Sequence, residues 1–480
     1  MNDYKKLSPS GAMPSIAQVN KAVRLLKQNK IAEAEILLLE AEELYPTNEV
    51  VYRTLGALYE KTKDFERAAK YFKCALNLNP IKKDLFMRLG YAQLSARLND
   101  EAKRTFEKAL KVFPVDSEVI AGYGMALYRL ERYADARVEL VKAFSLDAHN
   151  LNALFLTATI DVMFGDYERA ESRLSLLVKL APITPHLYEY AKLKNLKQDY
   201  DAALELAQRA LDINPKFLPA YLLMAEVYHS KFDFAGALDC LQKAENEELF
   251  SSALYLSRAN IYMYKEDFAL ALDAYKKSLE YEQSKTVDLK ILICQVLLDD
   301  YSGQEDVINI LEQEVEDEDD TERQAVAYLL QGVFKFKQQN FAQAEMYFRK
   351  ALQITLKLPV VYYLLALIYQ ELGDDYKSDK YYNLTIEKNP YHENAYRSYI
   401  AYLLERKDFE GAKYKSKKAL KLFPENSYFA NIFFYASFCL VDEMTSEYNV
   451  KELLKLAEKL EENSTFLYAN EKQILLKRIN

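Results

Sequence analysis

Apolar and polar residues follow one another along this chain with the period of an amphipathic helix, and one phrase keeps returning. FERAAKYFKCALNLNP at 65–80 is echoed by DEAKRTFEKALKVFP at 100–114, YERAESRLSLLVKLAP at 167–182 and YDAALELAQRALDINP at 200–215. Apolar positions at i, i+3, i+4 and i+7 place one buried stripe on a helix. Aligning the phrases gives a column of small residues at Ala34, Ala68, Ala102, Ala136 and Ala170, each 34 residues from the last. The column continues at Ala203, Ala237 and Ala271 and resumes after a break at Ala344, Ser378 and Ala412. Twelve residues upstream runs a second one: Ala22, Gly56, Gly90, Gly124, Ala158, Ala191, Ala225, Ala259, Gly332 and Ala366.

Two small columns on consecutive helices allow those helices to approach closely, so each repeat is expected to be a helical hairpin. The second helix follows an Asp or Asn and an aromatic, as in Asp64-Phe65, Asp166-Tyr167, Asp199-Tyr200, Asp233-Phe234, Asp267-Phe268, Asn340-Phe341 and Asp408-Phe409. The short polar side chain can accept from free N–H groups of the first turn. Pro46, Pro80, Pro114, Pro182, Pro215, Pro390 and Pro424 mark helix ends, because proline cannot extend the ladder and disfavours helix at the residue before it.

Composition agrees with this pattern. Only 11 glycines and 12 prolines occur in 480 residues, and half of the residues are apolar. The bias is towards helix throughout. A formal charge of −9 lacks the basic stripe that neutralises phosphates, so neither nucleic acid nor an anionic membrane surface is an expected partner. The opening MNDYKKLSPSGAMPS has no apolar export core, and no segment supplies eighteen uncharged apolar residues, so the expected location is cytoplasmic, without membrane insertion.

The clearest repeat copy runs from Glu49 to Lys82, with Leu55, Gly56 and Tyr59 in its first helix, Ala68, Phe72 and Ala75 in its second, and Pro80 at its exit. This pattern resembles the tetratricopeptide repeat (TPR) family. The resemblance covers residues 15–426 as twelve hairpins, although tryptophan is absent and Tyr52, Phe86, Tyr328 or Tyr396 takes the place of the large residue early in the first helix. It implies an all-α fold, a right-handed superhelical α-solenoid of twelve to thirteen antiparallel hairpins. Expected segments are a flexible stretch at 1–14, an array at 15–285, a divergent repeat with an acidic loop at 286–324, a second array at 325–426, and a divergent last repeat with a capping helix at 427–480. In the divergent ninth copy Glu305 replaces the second small residue, and an acidic run from Glu312 to Glu322 reads as solvated loop.

Candidate chemistry is sparse. His149, His186, His229 and His392 lie in different copies, and Cys74, Cys240, Cys294 and Cys439 form no Cys-x-x-Cys pair, so no metal and no cofactor are expected. Phosphate-cradling and nucleophile-elbow motifs do not occur, and the chain is not expected to be an enzyme.

In the family this chain resembles, first helices line a concave surface that holds segments of partner proteins. The positions three before, one after and four after the upstream small column are therefore the expected lining. In copies three to five they include Met87, Tyr91, Leu94, Met125, Tyr128, Phe155 and Val162. In copies six to eight the same positions turn polar, with Tyr188, Lys192, Asn195, Glu226, His229 and Asn260 beside Leu222, Leu256 and Met263. Copies ten and eleven return to Leu329, Val333, Phe336, Tyr363 and Leu367. Apolar residues there serve a peptide groove or the packing of first helix on first helix, and the sequence leaves both readings open. A lysine and asparagine one turn apart, with which some family members clamp a chaperone's terminal carboxylate, is not reproduced at Arg53 and Ala57. The expected function is a non-catalytic scaffold or adaptor holding peptide or helical segments of proteins. The alternative is a regulatory or substrate-recruiting subunit whose catalytic residues lie on another chain.

Overall fold

The computed structural model describes residues 12–300, 321–354, 359–442, 445–463 and 465–479. Glu305, the acidic run up to Asp320 and residues 1–11 therefore lie outside the described residues. The described residues form twenty-six helices and no strand. Apart from Lys285–Leu297, they pair as antiparallel hairpins, from Ala12–Lys27 with Ile31–Leu44 in repeat 1 to Ser427–Cys439 with Glu447–Glu462 in repeat 13, followed by a last helix, Ala469–Ile479. The chain divides into two compact units, residues 1–214 and 215–480.

Both small columns are the inside of the stack. Ala34, Ala68, Ala102 and Ala136 are fully buried. Where the second helix sends a phenylalanine inwards, the first helix answers with glycine. A Cβ on Gly90 would lie 2.4 Å from the Phe106 ring, and one on Gly332 would lie 2.4 Å from Phe348. Close packing here leaves no room for even one carbon. Ala158 faces Leu174 in a smaller joint of the same kind.

Hairpin turns share a backbone device that the sequence does not announce. The residue two positions before the second helix is left-handed in repeats 1 to 8 and 10 to 12, from Asn29 and Lys63 through Glu266 to Lys407. Only Gly165 and Gly373 use glycine for it. At the second repeat the Asp64 amide donates to the Tyr59 carbonyl at 2.9 Å and the Lys63 amide to Glu60 at 3.1 Å, the Schellman closure of a helix C-terminus. Capping by the following Asp or Asn is selective. Asp64, Asp233, Asn340 and Asp408 accept from first-turn amides at 2.9–3.3 Å. Asp166 and Asp199 make no such bond. Their carboxylates take Arg137 at 2.6 Å and Lys194 at 2.9 Å instead. Asp267 makes no side-chain cap bond either.

The C-terminal end of the second unit carries its own small core. Phe434, Val450, Leu454, Ala457 and Leu475 are buried together, so the last helix packs against repeat 13. Asn431 ties the connection by donating to the Thr465 carbonyl at 2.8 Å and accepting from the Leu467 amide at 2.9 Å.

Candidate functional site

In the first unit, first helices touch their successors: Lys83–Ser95, Ser117–Arg129, Leu151–Met163 and Thr184–Leu196 form one inner layer. Helices stacked in this way present equivalent positions as a stripe. Met87, Tyr91 and Met125 are half-buried against a core of Leu94, Ala102, Phe106 and Ala126. Leu94 itself is buried, only 6% exposed, so its apolar character serves the stack. Tyr128 packs edge-on to Tyr133 at 5.4 Å, and burial, with a smaller push from the Tyr133 phenol, raises its pKa. Glu189 and Lys192, two repeats further on, are close enough to act on it electrostatically. Phe155 sits 5.5 Å from the His186 ring, and Val162 is half-buried beside it. These side chains have one surface in the core and another outside it.

The first unit also contains a buried charge cluster that pattern reading misses. Asp161 is fully buried and pairs with Arg137 at 2.7 Å and with Arg173. Because these groups come from three helices of repeats 4 and 5, they fix one hairpin on the next. A lone aspartate in LTATIDVMFG gives no sign of its partners.

In the second unit the array folds back on itself. The turns of repeats 7 and 8 meet the segment 389–394 that enters repeat 12. Phe232 and Tyr391 have ring centroids 6.0 Å apart. The Asn389 amide donates to the Tyr264 carbonyl at 3.2 Å, and Asn394 donates to Glu266 Oε2 at 2.5 Å. Glu266 Oε1 lies 3.1 Å from His392 Nε2. Tyr363 supports this seam from repeat 11, with its ring 4.8 Å from His392 and its hydroxyl 2.9 Å from Ser398 Oγ.

The fold-back borders a half-open cavity of about 720 Å³ between the first helices of repeats 7 to 10 and the entrance to repeat 12. Its wall contains Leu222, Glu226, His229, Asn260, Met263 and Leu329, all positions that the spacing rule picks as lining. Val333 is fully buried and Leu329 only 4% exposed. Val333 thus belongs to the core, whereas Leu329 shows an edge to the cavity. Phe336 and Leu367 are half-buried against the same core.

Charged groups line the cavity. Its wall carries three carboxylates, Glu226, Glu266 and Glu322, against one ammonium, Lys290, which is 3.1 Å from Glu322. Burial pushes Glu266 up to about 7 and holds His392 down at about 4. His392 Nδ1 accepts from the Ala395 amide at 3.2 Å, which places the proton of the neutral ring on Nε2, facing Glu266. His229 Nε2 is buried and has no hydrogen-bond partner, and burial lowers the pKa of this ring as well. Glu266, Asn389, His392 and Asn394 escape sequence reading because their neighbours lie some 125 residues away.

Cys240 and Cys294 are buried and their thiols are pushed up to about 11 and about 12 by desolvation. Among the described residues no three His, Cys, Asp or Glu side chains gather as a metal site, and no helix is long and apolar enough to cross a membrane.

Sequence models of the tetratricopeptide repeat match residues 51–82, 87–149, 196–261, 325–357 and 360–392. The chain belongs to the TPR family. Anaphase-promoting complex subunit 3 of Schizosaccharomyces pombe is 26% identical to it over 155 residues, which are 32% of this chain and 23% of that protein. BBSome complex member BBS4 of Bos taurus is 26% identical over 211 residues, 44% of this chain and 40% of that protein. The chain therefore spans less than half of the length of either relative. A solved structure of the human IFIT1 dimer with PPP-AAAA aligns over 80% of this TPR chain and 91% of its own, at 18% identity and a TM-score of 0.39. TPR proteins are in general scaffolds for protein–protein interaction.

Proposed function

We propose that this TPR protein is a non-catalytic scaffold that holds peptide or helical segments of partner proteins on the inner face of its first helices. The observation that carries this reading is the half-buried stripe Met87, Tyr91, Met125, Tyr128, Phe155 and Val162. Tyr and Met give large, adaptable contact areas, and a side chain already held on one side loses little freedom when the other side is covered. Phe336, Tyr363 and Leu367 extend the same register in the second unit.

A second reading, a regulatory or recruiting subunit of an assembly whose catalytic residues are on another chain, draws support from the relatives' names: one is a subunit and the other a member of a complex. Both readings are tested by crosslinking a captured partner to the full chain and mapping the crosslinked residues. Crosslinks on repeats 3 to 5 that vanish when Met125 and Tyr128 are changed to Asp, at unchanged melting, support the scaffold reading. Crosslinks confined to outer, second helices would refute it. A catalytic chain recurring as the partner favours the subunit reading.

A further inference from the structure

The cavity of the second unit has features that core packing does not require. Its wall is apolar over Ile261, Met263, Ile293, Val326 and Leu329, yet a buried carboxylate and an unsatisfied imidazole nitrogen border the same space. Buried polar atoms are nearly always paired, so an orphan bordering a cavity signals an absent partner. Glu266 receives a hydrogen bond from the Asn394 amide and lies beside a neutral histidine, but no Lys or Arg among the described residues pairs with it. A buried carboxylate without a cation is costly when ionised, and a cation carried on an apolar body removes that cost. The one ammonium that the described residues place in the wall, Lys290, is already paired with Glu322. A volume of about 720 Å³ takes a few residues of chain, well beyond a single ion.

We propose that this cavity receives a lysine or arginine side chain of a bound protein segment, its cationic head at Glu266 and its aliphatic stem along Ile261, Met263 and Leu329. The assignment rests on the reading of the inner face as a peptide holder. It names what the polar repeats 7 and 8 add: His229 Nε2 meets a polar group of the same segment, and the Glu266 carboxylate repels acidic segments.

The test uses the full chain, immobilised, and a library of acetylated, amidated hexapeptides. One central position is fixed as Arg, Lys, citrulline, Gln or Glu, and the flanking positions are randomised among apolar residues. Citrulline copies arginine without its charge. Arg and Lys pools are expected to be retained at least tenfold over the citrulline, Gln and Glu pools. Glu266→Gln should erase that preference. Ser257→Phe, which fills the cavity and leaves Glu266 in place, should lower retention of every pool, with the helical spectrum checking that both variants fold. Equal retention of Arg and citrulline, retention of no pool, or a preference that survives Glu266→Gln each overturns the proposal. So does butylguanidinium displacing the Arg pool at the concentration of peptide needed to do so, because the site would then be one for free amines. The Met125→Asp, Tyr128→Asp pair is run beside these variants. Partner capture that still depends on that pair while the cavity shows no preference would leave the scaffold reading standing and remove this one.

Discussion

Repeats 3 to 5 and repeats 7 to 10 are built from one hairpin, yet their inner faces are different kinds of surface. In the first, Met87, Tyr91, Met125 and Tyr128 lie half-sunk in a stripe, each supported from beneath by its own repeat and an adjacent one. In the second, the same positions carry Glu226, His229 and Asn260, and contacts from repeat 12 turn the face into a walled space. The repeat register specifies which positions face inwards, whereas long-range contacts decide whether those positions form an open surface or the wall of a recess. Solvent is what distinguishes the two. A phenol at the edge of a stripe keeps water on one side, while Glu266 behind the seam loses it and has its titration displaced by burial.

The largest effect is expected at the ring-into-glycine joints common to both regions. Phe106→Ala and Phe348→Ala each empty a fully buried ring site and should cost about 3–5 kcal/mol, read from urea unfolding. If the units are separately compact, each variant should weaken one part of the unfolding profile, and hydrogen exchange should place the loss in residues 12–214 for Phe106 and in 215–479 for Phe348. A loss spread evenly over both would break the comparison.

Next in size is Met125→Asp with Tyr128→Asp. A charge set against a desolvated apolar ligand should lower partner affinity more than about a hundredfold, near 2.7 kcal/mol, and leave melting unchanged. If melting falls steeply instead, the stripe is core and the contrast with the second unit disappears.

Between about pH 4 and 7 two groups of the second unit, Glu266 and His392, give opposed pH dependences. Between about pH 4.5 and 7 the unfolded chain has released the Glu266 proton that the folded chain keeps, so this group's contribution to stability falls as pH rises. Between about pH 4 and 6.5 the unfolded chain binds a proton that buried His392 refuses, so its contribution rises with pH. Neighbouring Glu393 adds repulsion to Glu266. His392→Asn, which keeps a capping side chain, should therefore lose stability relative to the parent as pH rises from about 4 to 6.5. Glu266→Gln should gain relative to it from about 4.5 to 7. Amplitudes are on the order of 1–3 kcal/mol at about 1.36 kcal/mol per pKa unit. Differences that stay constant with pH would show that burial perturbs neither group.

Smallest is Asn394→Ala, which removes one donor from Glu266 at an exposed edge of the seam and should cost about 1 kcal/mol in urea unfolding. A null result would mean that the Asn394 bond adds nothing to the other contacts of the seam.

Hairpins, their order and the inward columns were legible because 34-residue periodicity repeats a local rule many times over. Gly56, Gly90 and Gly332 could be read as close-approach positions for that reason, and the clash distances to Phe72, Phe106 and Phe348 give the cause. Leu94 and Val333 were picked by the same rule as lining, but a register position does not say how far a side chain sinks, and these two sink fully. The Asp161 cluster and the seam at Glu266 were invisible, since each depends on charges or backbone groups brought together by stacking. Capping is only half legible: Asp166 and Asp199 are the right residue in the right place, yet they pair with arginine and lysine and make no cap bond.

The left-handed corner of each hairpin has a consequence for how such a chain can change. Glycine or asparagine would fit it with least strain, yet lysine, arginine, glutamate, glutamine and phenylalanine occupy it in most copies. The corner is closed by main-chain hydrogen bonds alone, so the identity of its side chain is left unconstrained by the fold. Each duplication of a repeat therefore creates an outward tip that mutation can rewrite without disturbing the stack. In repeats 7 and 8 two such tips, Phe232 and Glu266, have been recruited as contact residues. A tandem array of this kind can acquire a new specificity one corner at a time.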